Sequence, residues 1–215
     1  NLRTSVLLSN IDTPPQILLS ASSLPGEGKT TQAISLAHNL AGLNKRVLLV
    51  EGDIRLRTLS QYFDIPDSRH GLIAAMTGEH DLSDLLLRDS RMDVDILLGE
   101  KTSANAADVF SSDRFRNFLE ELRHHYDFIV IDTPPVLIVP DARIMSQFAD
   151  AVVFSVAWDR TAKSQVTEAI RQFHSVNSRV TGLVLSQIDP KGMRRYGHGG
   201  KYGAYSSYGA KYYNT

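Results

Sequence analysis

Residues 22–31 read Ser-Ser-Leu-Pro-Gly-Glu-Gly-Lys-Thr-Thr and lie between a predicted strand, residues 16–20, and a predicted helix that begins near Thr30. In a phosphate-binding loop, backbone N–H groups must converge on phosphate oxygens, and glycines permit that close approach. In the general pattern, the residue at Lys29 reaches the β- and γ-phosphates and the hydroxyl at Thr30 holds Mg²⁺. The pattern G-x-x-x-x-G-K-[ST] has its first glycine where this chain has Ser23. The stretch therefore predicts a nucleotide-binding strand–loop–helix unit.

Short apolar runs alternate with helical patterns along most of the chain, which is typical of a parallel sheet covered by helices on both faces. Strands are predicted at residues 16–20, 46–50, 94–98, 128–131, 151–156 and 182–187. Helices are predicted over residues 30–41, over residues 115–122 behind a cap at residues 111–113, and from Thr161 to about Val176. Tyr62, Phe63 and residues 64–78 are assigned to core and lid structure. We therefore predict a doubly wound α/β fold of the P-loop NTPase type with a mainly parallel sheet.

The net charge of −1 conceals two unlike parts of the chain. Residues 1–189 carry −6 and residues 190–215 carry +5, because the last acidic residue is Asp189. The terminal segment also contains six of the eight tyrosines: Tyr196, Tyr202, Tyr205, Tyr208, Tyr212 and Tyr213. It has almost no aliphatic residues and cannot bury enough surface to offset its chain entropy. We predict a folded domain over residues 1–190 and a flexible tyrosine- and glycine-rich tail over residues 191–215.

The composition of the 215 residues excludes several classes of protein. There is no cysteine, which rules out disulfide frameworks, thiolate metal sites and thiol nucleophiles. Hydrophobic residues make up 42% of the chain, so disorder of the whole chain is excluded. No stretch approaches about 18 consecutive apolar residues, so the chain is not expected to span a membrane itself. The chain opens on Asn1 without a signal-like segment, and we expect a fragment that lacks its upstream portion.

Acidic residues follow two of the predicted strands. Asp132 comes directly after residues 128–131, whereas Glu51 and Asp53 follow residues 46–50. Carboxylates at the carboxyl ends of parallel strands face the ligand crevice. Phosphoryl transfer needs Mg²⁺ to be held and a nucleophile to be oriented, and these acids are candidates for both tasks. For each acid taken alone, the alternative is a helix cap or a charge pair in a loop.

Together these motifs and the tyrosine-rich end resemble the bacterial tyrosine kinases (BY-kinases), the cytoplasmic kinase domains of Wzc-type polysaccharide co-polymerases. The resemblance is carried by residues 25–30 as the Walker A motif, residues 53–55 as the end of the Walker A′ motif, and residues 131–135 as the Walker B motif. The family's A′ motif usually has Asp-x-Asp, whereas the first acid here is Glu51, whose longer side chain can still reach Mg²⁺ through water. Arg3 is similar to the last arginine of a Glu-x-x-Arg-x-x-Arg motif that builds the family's ring-shaped oligomer, and the earlier part of that motif is absent.

The resemblance implies ATP and Mg²⁺ as cofactors and assigns roles to the motif residues. Lys29 neutralises the β- and γ-phosphates, while Thr30 and Asp132 hold Mg²⁺. Asp53 binds Mg²⁺ through water and accepts the tyrosine proton late in the transfer, because a carboxylate with a pKa of about 4 cannot fully deprotonate a phenol of about 10. Arg55 either stabilises the transferring phosphate or pairs with an acid. The implied nucleotide-binding residues are Pro25, Gly26, Glu27, Gly28, Lys29, Thr30 and Thr31, with Gln187 near the base.

The resemblance also implies that the six tail tyrosines are phosphorylated between neighbouring protomers. Each phosphate adds about −1.5 to −2 of charge, so full phosphorylation inverts the charge of the tail. The implied partners are copies of the chain in a ring, a transmembrane co-polymerase region or a separate membrane activator, and an opposing tyrosine phosphatase, with no nucleic acid. The implied setting is the cytoplasmic face of the bacterial inner membrane, where the protein controls capsule or exopolysaccharide synthesis and export.

The strongest alternative is a P-loop ATPase of the division-site or plasmid-partition type, which acts as a nucleotide-driven dimer switch. Those proteins carry an additional lysine five positions before the P-loop lysine, and Leu24 stands there in this chain. The glycine-rich tail also differs from the amphipathic membrane-binding helix of the division-site members. A non-enzymatic scaffold is a third interpretation. The chain argues against it because it retains Lys29, Asp53 and Asp132. For the tail, the alternative is nucleic-acid binding or no function.

Overall fold

The computed structural model describes residues 2–10, 12–63, 65, 69–89, 92–189 and 192. Among these residues the chain forms one sheet with the strand order β3-β4-β2-β5-β1-β6-β7. The strands are β1 (Ile17–Ser22), β2 (Val47–Glu51), β3 (Leu87–Asp89), β4 (Val94–Leu97), β5 (Phe128–Asp132), β6 (Ala151–Ala157) and β7 (Val180–Ser186). Every neighbouring pair is parallel except β3 with β4. The predicted doubly wound, mainly parallel fold is confirmed.

All six predicted strands are present, with ends displaced by one or two residues. The antiparallel edge strand β3 was not predicted, because its three residues Leu-Arg-Asp contain no apolar run. Its pairing depends on β4, since Leu87 lies opposite Ile96. The predicted tail falls outside the described residues except for Gly192, so the boundary at residue 190 stays a prediction.

The first described α-helix precedes β1, and the other α-helices lie between strands along the chain. The described α-helices are α1 (Leu2–Leu7), α2 (Lys29–Ala41), α3 (Thr58–Tyr62), α4 (Leu72–Thr77), α5 (Leu82–Leu85), α6 (Ala106–Ser111), α7 (Asp113–His125), α8 (Asp141–Met145) and α9 (Lys163–His174). The predicted cap of α7 is present, because the Ser112 hydroxyl accepts a 3.3 Å hydrogen bond from the Phe115 N–H. Helix α9 is shorter than predicted and buries Ala169 and Phe173 fully. None of the helices in the described ranges is both long and apolar enough to cross a membrane.

The core has one layer on each side of the sheet because successive strand residues point to opposite faces. On one face, Leu18, Leu49 and Val130 pack with the apolar stripe of α2, represented by Leu36 and Leu40. The opposite face contributes to a second cluster that includes α7 and α9. Its members include Leu19, Val50, Ile131, Phe115, Leu119 and Phe173. Strands β1, β2 and β5 are consequently buried along their whole length.

The register of the three central strands brings the predicted motifs to one edge of the sheet. Asp132 at the end of β5 lies opposite Ser20 of β1 and Glu51 of β2. The loop after β1 leads into α2 immediately beside that point. The carboxyl ends of β1, β2 and β5 thus form the crevice in which α/β sheets of this type bind ligands.

Candidate active site

The loop between β1 and α2 has the backbone geometry of a phosphate cradle. Gly26 and Gly28 have φ values of 76° and 86°, in the left-handed region that favours glycine. Ser23, where the general pattern has a glycine, has no positive φ, so a side chain is tolerated there. Helix α2 begins at Lys29, and its free N–H groups and positive dipole end face the loop. The loop therefore presents an anion-binding concavity at the helix start.

Glu27 stabilises this loop through hydrogen bonds to its side chain and its backbone carbonyl. Its buried carboxylate accepts a 2.8 Å hydrogen bond from the Leu24 N–H and another from the Thr161 hydroxyl. The Ser186 hydroxyl donates a 2.6 Å hydrogen bond to the Glu27 carbonyl. The Glu27 side chain supports the loop and is tied to the segment after β6, and the prediction that Glu27 binds nucleotide stays a prediction.

Gln187 supports the loop from the other side. Its side-chain amide donates a 2.6 Å hydrogen bond to the Gly26 carbonyl, and its oxygen accepts a 2.9 Å hydrogen bond from Arg160. Gln187 also lines the pocket that opens beside this loop. In this geometry both polar ends of its side chain are engaged by the protein, so contact with a nucleotide base stays a prediction.

Lys29, Thr30 and Asp132 form a compact buried group at the sheet edge. The Thr30 hydroxyl donates a 2.7 Å hydrogen bond to Asp132 Oδ2. Lys29 Nζ lies 3.9 Å from Asp132 Oδ1 and 3.3 Å from the Thr30 hydroxyl oxygen. Burial raises the pKa of Asp132 to about 7, although the Lys29 charge and the Thr30 hydrogen bond both act to lower it. A further positive charge at this carboxylate would favour its ionised form.

Two buried carboxylate oxygens in the described chain have no hydrogen-bond donor, namely Asp53 Oδ2 and Asp132 Oδ1. Orphaned buried acceptors are rare, and they are expected where a cation binds. Mg²⁺ prefers oxygen ligands and is usually held by one or two carboxylates together with substrate phosphates. The described residues contain no group of three or more metal-binding His, Asp or Glu side chains. Asp53, Asp132 and the Thr30 hydroxyl nevertheless fit Mg²⁺ shared with a nucleotide.

Glu51 is placed differently from the water-mediated Mg²⁺ contact that the sequence allowed. One of its carboxylate oxygens accepts a 3.1 Å hydrogen bond from the Ser60 N–H. The other accepts hydrogen bonds from the Ser60 hydroxyl at 2.7 Å and the Gly99 N–H at 3.0 Å. Burial raises the pKa of Glu51, and these hydrogen bonds oppose that rise. Both oxygens are thus engaged, and Glu51 holds α3 against the end of the sheet.

Arg55 pairs with an acid that the sequence analysis did not single out. Its Nε donates a 2.9 Å hydrogen bond to Asp141 Oδ2, and Nη2 donates a 3.3 Å hydrogen bond to Oδ1. The Asp141 side chain is fully buried, whereas the Arg55 side chain is 42% exposed. Of the two roles left open by the sequence, this geometry favours ion pairing. Asp141 stands 86 residues away, so no local pattern could have identified it.

A pocket of about 280 Å³ opens beside the phosphate loop and Asp53. It is lined by Pro25, Gly26, Gly28, Lys29, Thr30, Thr31, Asp53, Leu56, Thr58, Tyr62, Pro135 and Gln187. Most predicted site residues are therefore brought together. Leu56 and Tyr62 were not predicted to belong to the site. Of the core and lid structure assigned to this segment, Tyr62 does not belong to the core, because its side chain is exposed, whereas Phe63 packs against the core. A larger cleft of about 650 Å³ lies at the other end of the sheet and includes none of the motif residues.

Comparison with known proteins relates this site to described families. Residues 11–183 match the family model of the AAA domain. The chain is 31% identical over 195 residues to the tyrosine-protein kinase CpsD of Streptococcus pneumoniae, a match that covers 90% of this chain and 84% of CpsD. Among solved structures, the kinase domain of VpsO superposes with a TM-score of 0.79 at 32% identity, and covers 86% of this chain and 91% of that domain.

A longer relative shares the same region. EpsB of Ralstonia nicotianae is 31% identical over 205 residues, which covers 95% of this chain. The chain spans only 27% of the length of EpsB. The matched region therefore corresponds to a minor part of that protein, whereas it corresponds to most of CpsD.

Proposed function

The chain belongs to the family of bacterial tyrosine-protein kinases, and from this premise we propose that it transfers the γ-phosphoryl group of ATP to tyrosine hydroxyls. The observation that supports the proposal is the pair of buried carboxylates Asp53 and Asp132, each with one oxygen that accepts no hydrogen bond among the described residues. Asp132 lies beside Thr30 and Lys29, whose ammonium group is 3.9 Å from its oxygen. Phosphoryl transfer relies on positioning and charge stabilisation, which such a group provides.

The loop residues bind the nucleotide in this proposal. The N–H groups around Gly26 and Gly28 hold the phosphates, and Lys29 places its charge on the β- and γ-phosphates. The Thr30 hydroxyl, Asp132 and, through water, Asp53 hold Mg²⁺. Bound there, Mg²⁺ supplies positive charge to the phosphate oxygens. Lys29 and Thr30 are already within 4 Å of Asp132, so the residues need little rearrangement.

Asp53 acts on the tyrosine that accepts the phosphoryl group. The tyrosine oxygen forms a bond to the γ-phosphorus while the bond from that phosphorus to the bridging oxygen breaks, and ADP leaves with the electron pair. The phenolic proton passes to Asp53 Oδ2, which has no competing donor in the described chain. Because carboxylates are in general far weaker bases than phenolates, the proton moves late, when the phosphorus–oxygen bond is forming.

The proposed substrate is the tail of a neighbouring copy, with its tyrosines at 196, 202, 205, 208, 212 and 213. A segment carrying +5 is attracted to a domain carrying −6. Six phosphates would take the tail to about −4 to −7, which would weaken that attraction and the ring that we propose these copies form. Equal oligomer mass for phosphorylated and dephosphorylated chains would contradict this weakening.

The cellular role follows by the same inference. We place the chain at the cytoplasmic face of the inner membrane, associated with a transmembrane co-polymerase region or a membrane activator. An opposing tyrosine phosphatase would remove the phosphates from the tail tyrosines. In this role the kinase controls the synthesis and export of capsule or exopolysaccharide. The family membership of the chain supports this role.

Phosphate mapping after incubation with Mg-ATP tests the function directly. We expect phosphate on the tail tyrosines of the wild type and none in Lys29→Met, with the exposed Lys163→Met as the matched control that keeps the modification. ATP hydrolysis with unmodified tyrosines would contradict the kinase proposal and would favour the partition-type switch.

A further inference from the structure

Two large apolar side chains stand at the mouth of the phosphate pocket. Leu56 is 62% exposed and Tyr62 is 56% exposed, and both line the pocket that contains Lys29 and Asp53. Single exposed apolar residues are common on protein surfaces, but here two of them flank one polar site. Their position over the transfer site suggests contact with the substrate that brings its hydroxyl there.

The position of Leu56 is fixed by the same carboxylate that the transfer requires. The Leu56 N–H donates a 3.0 Å hydrogen bond to Asp53 Oδ1, while the other oxygen of Asp53 has no donor among the described residues. The Gln61 side chain also donates a 3.2 Å hydrogen bond to the Leu56 carbonyl. These two hydrogen bonds tie the backbone of Leu56 beside Asp53, so its apolar side chain projects from a fixed point near the oxygen that receives the acceptor proton.

Tyr62 is held from the opposite side. It ends α3, and its hydroxyl lies 3.0 Å from the Thr31 hydroxyl in the first turn of α2. Helix α3 is anchored at its middle by the two hydrogen bonds from Ser60 to Glu51. The side chain of Tyr62 therefore connects α3 to the first turn of α2 and forms part of the rim of the phosphate pocket.

We propose that Leu56 and Tyr62 form an apolar lip that seats the aromatic ring of the acceptor tyrosine and makes the site specific for tyrosine over serine and threonine. The occupant is a tail tyrosine of a second copy, whose basic segment complements the acidic domain. A phenol ring fills the space between two apolar side chains and carries its hydroxyl inward toward Asp53, whereas a serine or threonine hydroxyl has no ring for the lip to contact. The inference rests on the proposed kinase function and adds the determinant of its substrate class.

Steady-state kinetics with the full chain and a biotinylated peptide of residues 193–215 test the lip. We expect Leu56→Ser and Tyr62→Ser each to raise the KM for the peptide about 10-fold, with kcat and the Kd for ADP within about threefold of the wild type. Tyr62→Phe restores the ring and should return the KM to within about threefold. Leu185→Ser, at another exposed leucine on β7, is the matched control and should leave the KM unchanged.

The outcomes separate the lip from the function on which it rests. An unchanged KM in both serine variants overturns the lip while the wild type still phosphorylates the peptide. A fall in ADP affinity that parallels the rise in KM also overturns it, because the rim would then act through α2 and the nucleotide. A wild-type chain that leaves the peptide unmodified overturns the kinase proposal itself, and the lip with it.

Discussion

The hydroxyl of Thr30 donates a 2.7 Å hydrogen bond to Oδ2 of Asp132, so the first turn of α2 is joined directly to the end of β5. This bond orients a fully buried carboxylate whose other oxygen is left without a hydrogen-bond donor in the described chain. Burial of this carboxylate costs stability in the free protein, Lys29 at 3.9 Å offsets part of that cost, and a bound cation would offset more of it. The site is thus organised before its ligands arrive.

Asp132→Asn should affect Mg-ADP binding without destabilising the free chain. Because burial raises the pKa of Asp132 to about 7, removing the charge is expected to leave the stability of the free chain within about 1 kcal/mol of the wild type, or to increase it. The same change removes a proposed Mg²⁺ ligand, so Mg-ADP should no longer raise the Tm. Thermal unfolding with and without Mg-ADP measures both effects. The exposed Asp84→Asn is the control, and an undiminished Mg-ADP shift in Asp132→Asn would contradict the assignment.

A double-mutant cycle on Arg55 and Asp141 addresses the two roles left open for Arg55. Arg55→Met leaves the fully buried Asp141 without its guanidinium partner, and we expect a loss of about 2 kcal/mol, discounted for the exposed part of the arginine. Arg55→Met/Asp141→Asn should recover at least half of that loss in urea unfolding. If the double variant has wild-type stability but has lost phosphoryl transfer more than about 100-fold, Arg55 contacts the transferring phosphate instead.

Gln187→Ala distinguishes support of the loop from recognition of the base. The side chain bonds the Gly26 carbonyl and Arg160, so its removal should loosen the loop and weaken ATP and GTP binding by the same factor, about fivefold for one hydrogen bond. Isothermal titration with each nucleotide measures this, with Gln147→Ala as an exposed control. A loss confined to ATP would show that Gln187 reads the base.

Asp150 should make stability depend on pH at the acidic end. Burial acts to raise the pKa of Asp150, but hydrogen bonds from Arg123 and from the Ile17 and Gln16 amides outweigh it and lower the pKa. Its stabilisation is therefore fully present above the unfolded pKa of about 3.9 and is lost as pH falls through the lower folded value. Asp150→Asn should cost about 1–2 kcal/mol at neutral pH, and this difference should shrink below about pH 4.

Chemical unfolding of the wild type and Asp150→Asn at several pH values measures this dependence. Asp12→Asn, at an exposed aspartate, serves as the control and should run parallel to the wild type. A difference between the wild type and Asp150→Asn that stays constant from neutral pH to about pH 2 would show that the carboxylate charge contributes nothing.

Local patterns were sufficient for most of the architecture. Apolar runs located six strands, and the spacing of residues such as Leu36 and Leu40 located α2, because strand and helix periodicities are written in neighbouring positions. The edge strand β3 was missed because its pairing depends on β4. The exposure of Tyr62 could not be predicted from the sequence because it is set by the packing of α3.

The sequence by itself determined the phosphate loop, since Gly26 and Gly28 must be glycines at positive φ and Lys29 must follow them. It also located Asp132 and Asp53 at strand ends. Only the tertiary structure decided which partners these and neighbouring residues take. Glu51 accepts hydrogen bonds from Ser60 and Gly99, and Arg55 forms an ion pair with Asp141. Hydrogen bonds depend on distances between side chains that are far apart in the chain, and those distances exist only once the sheet and its helices have packed together.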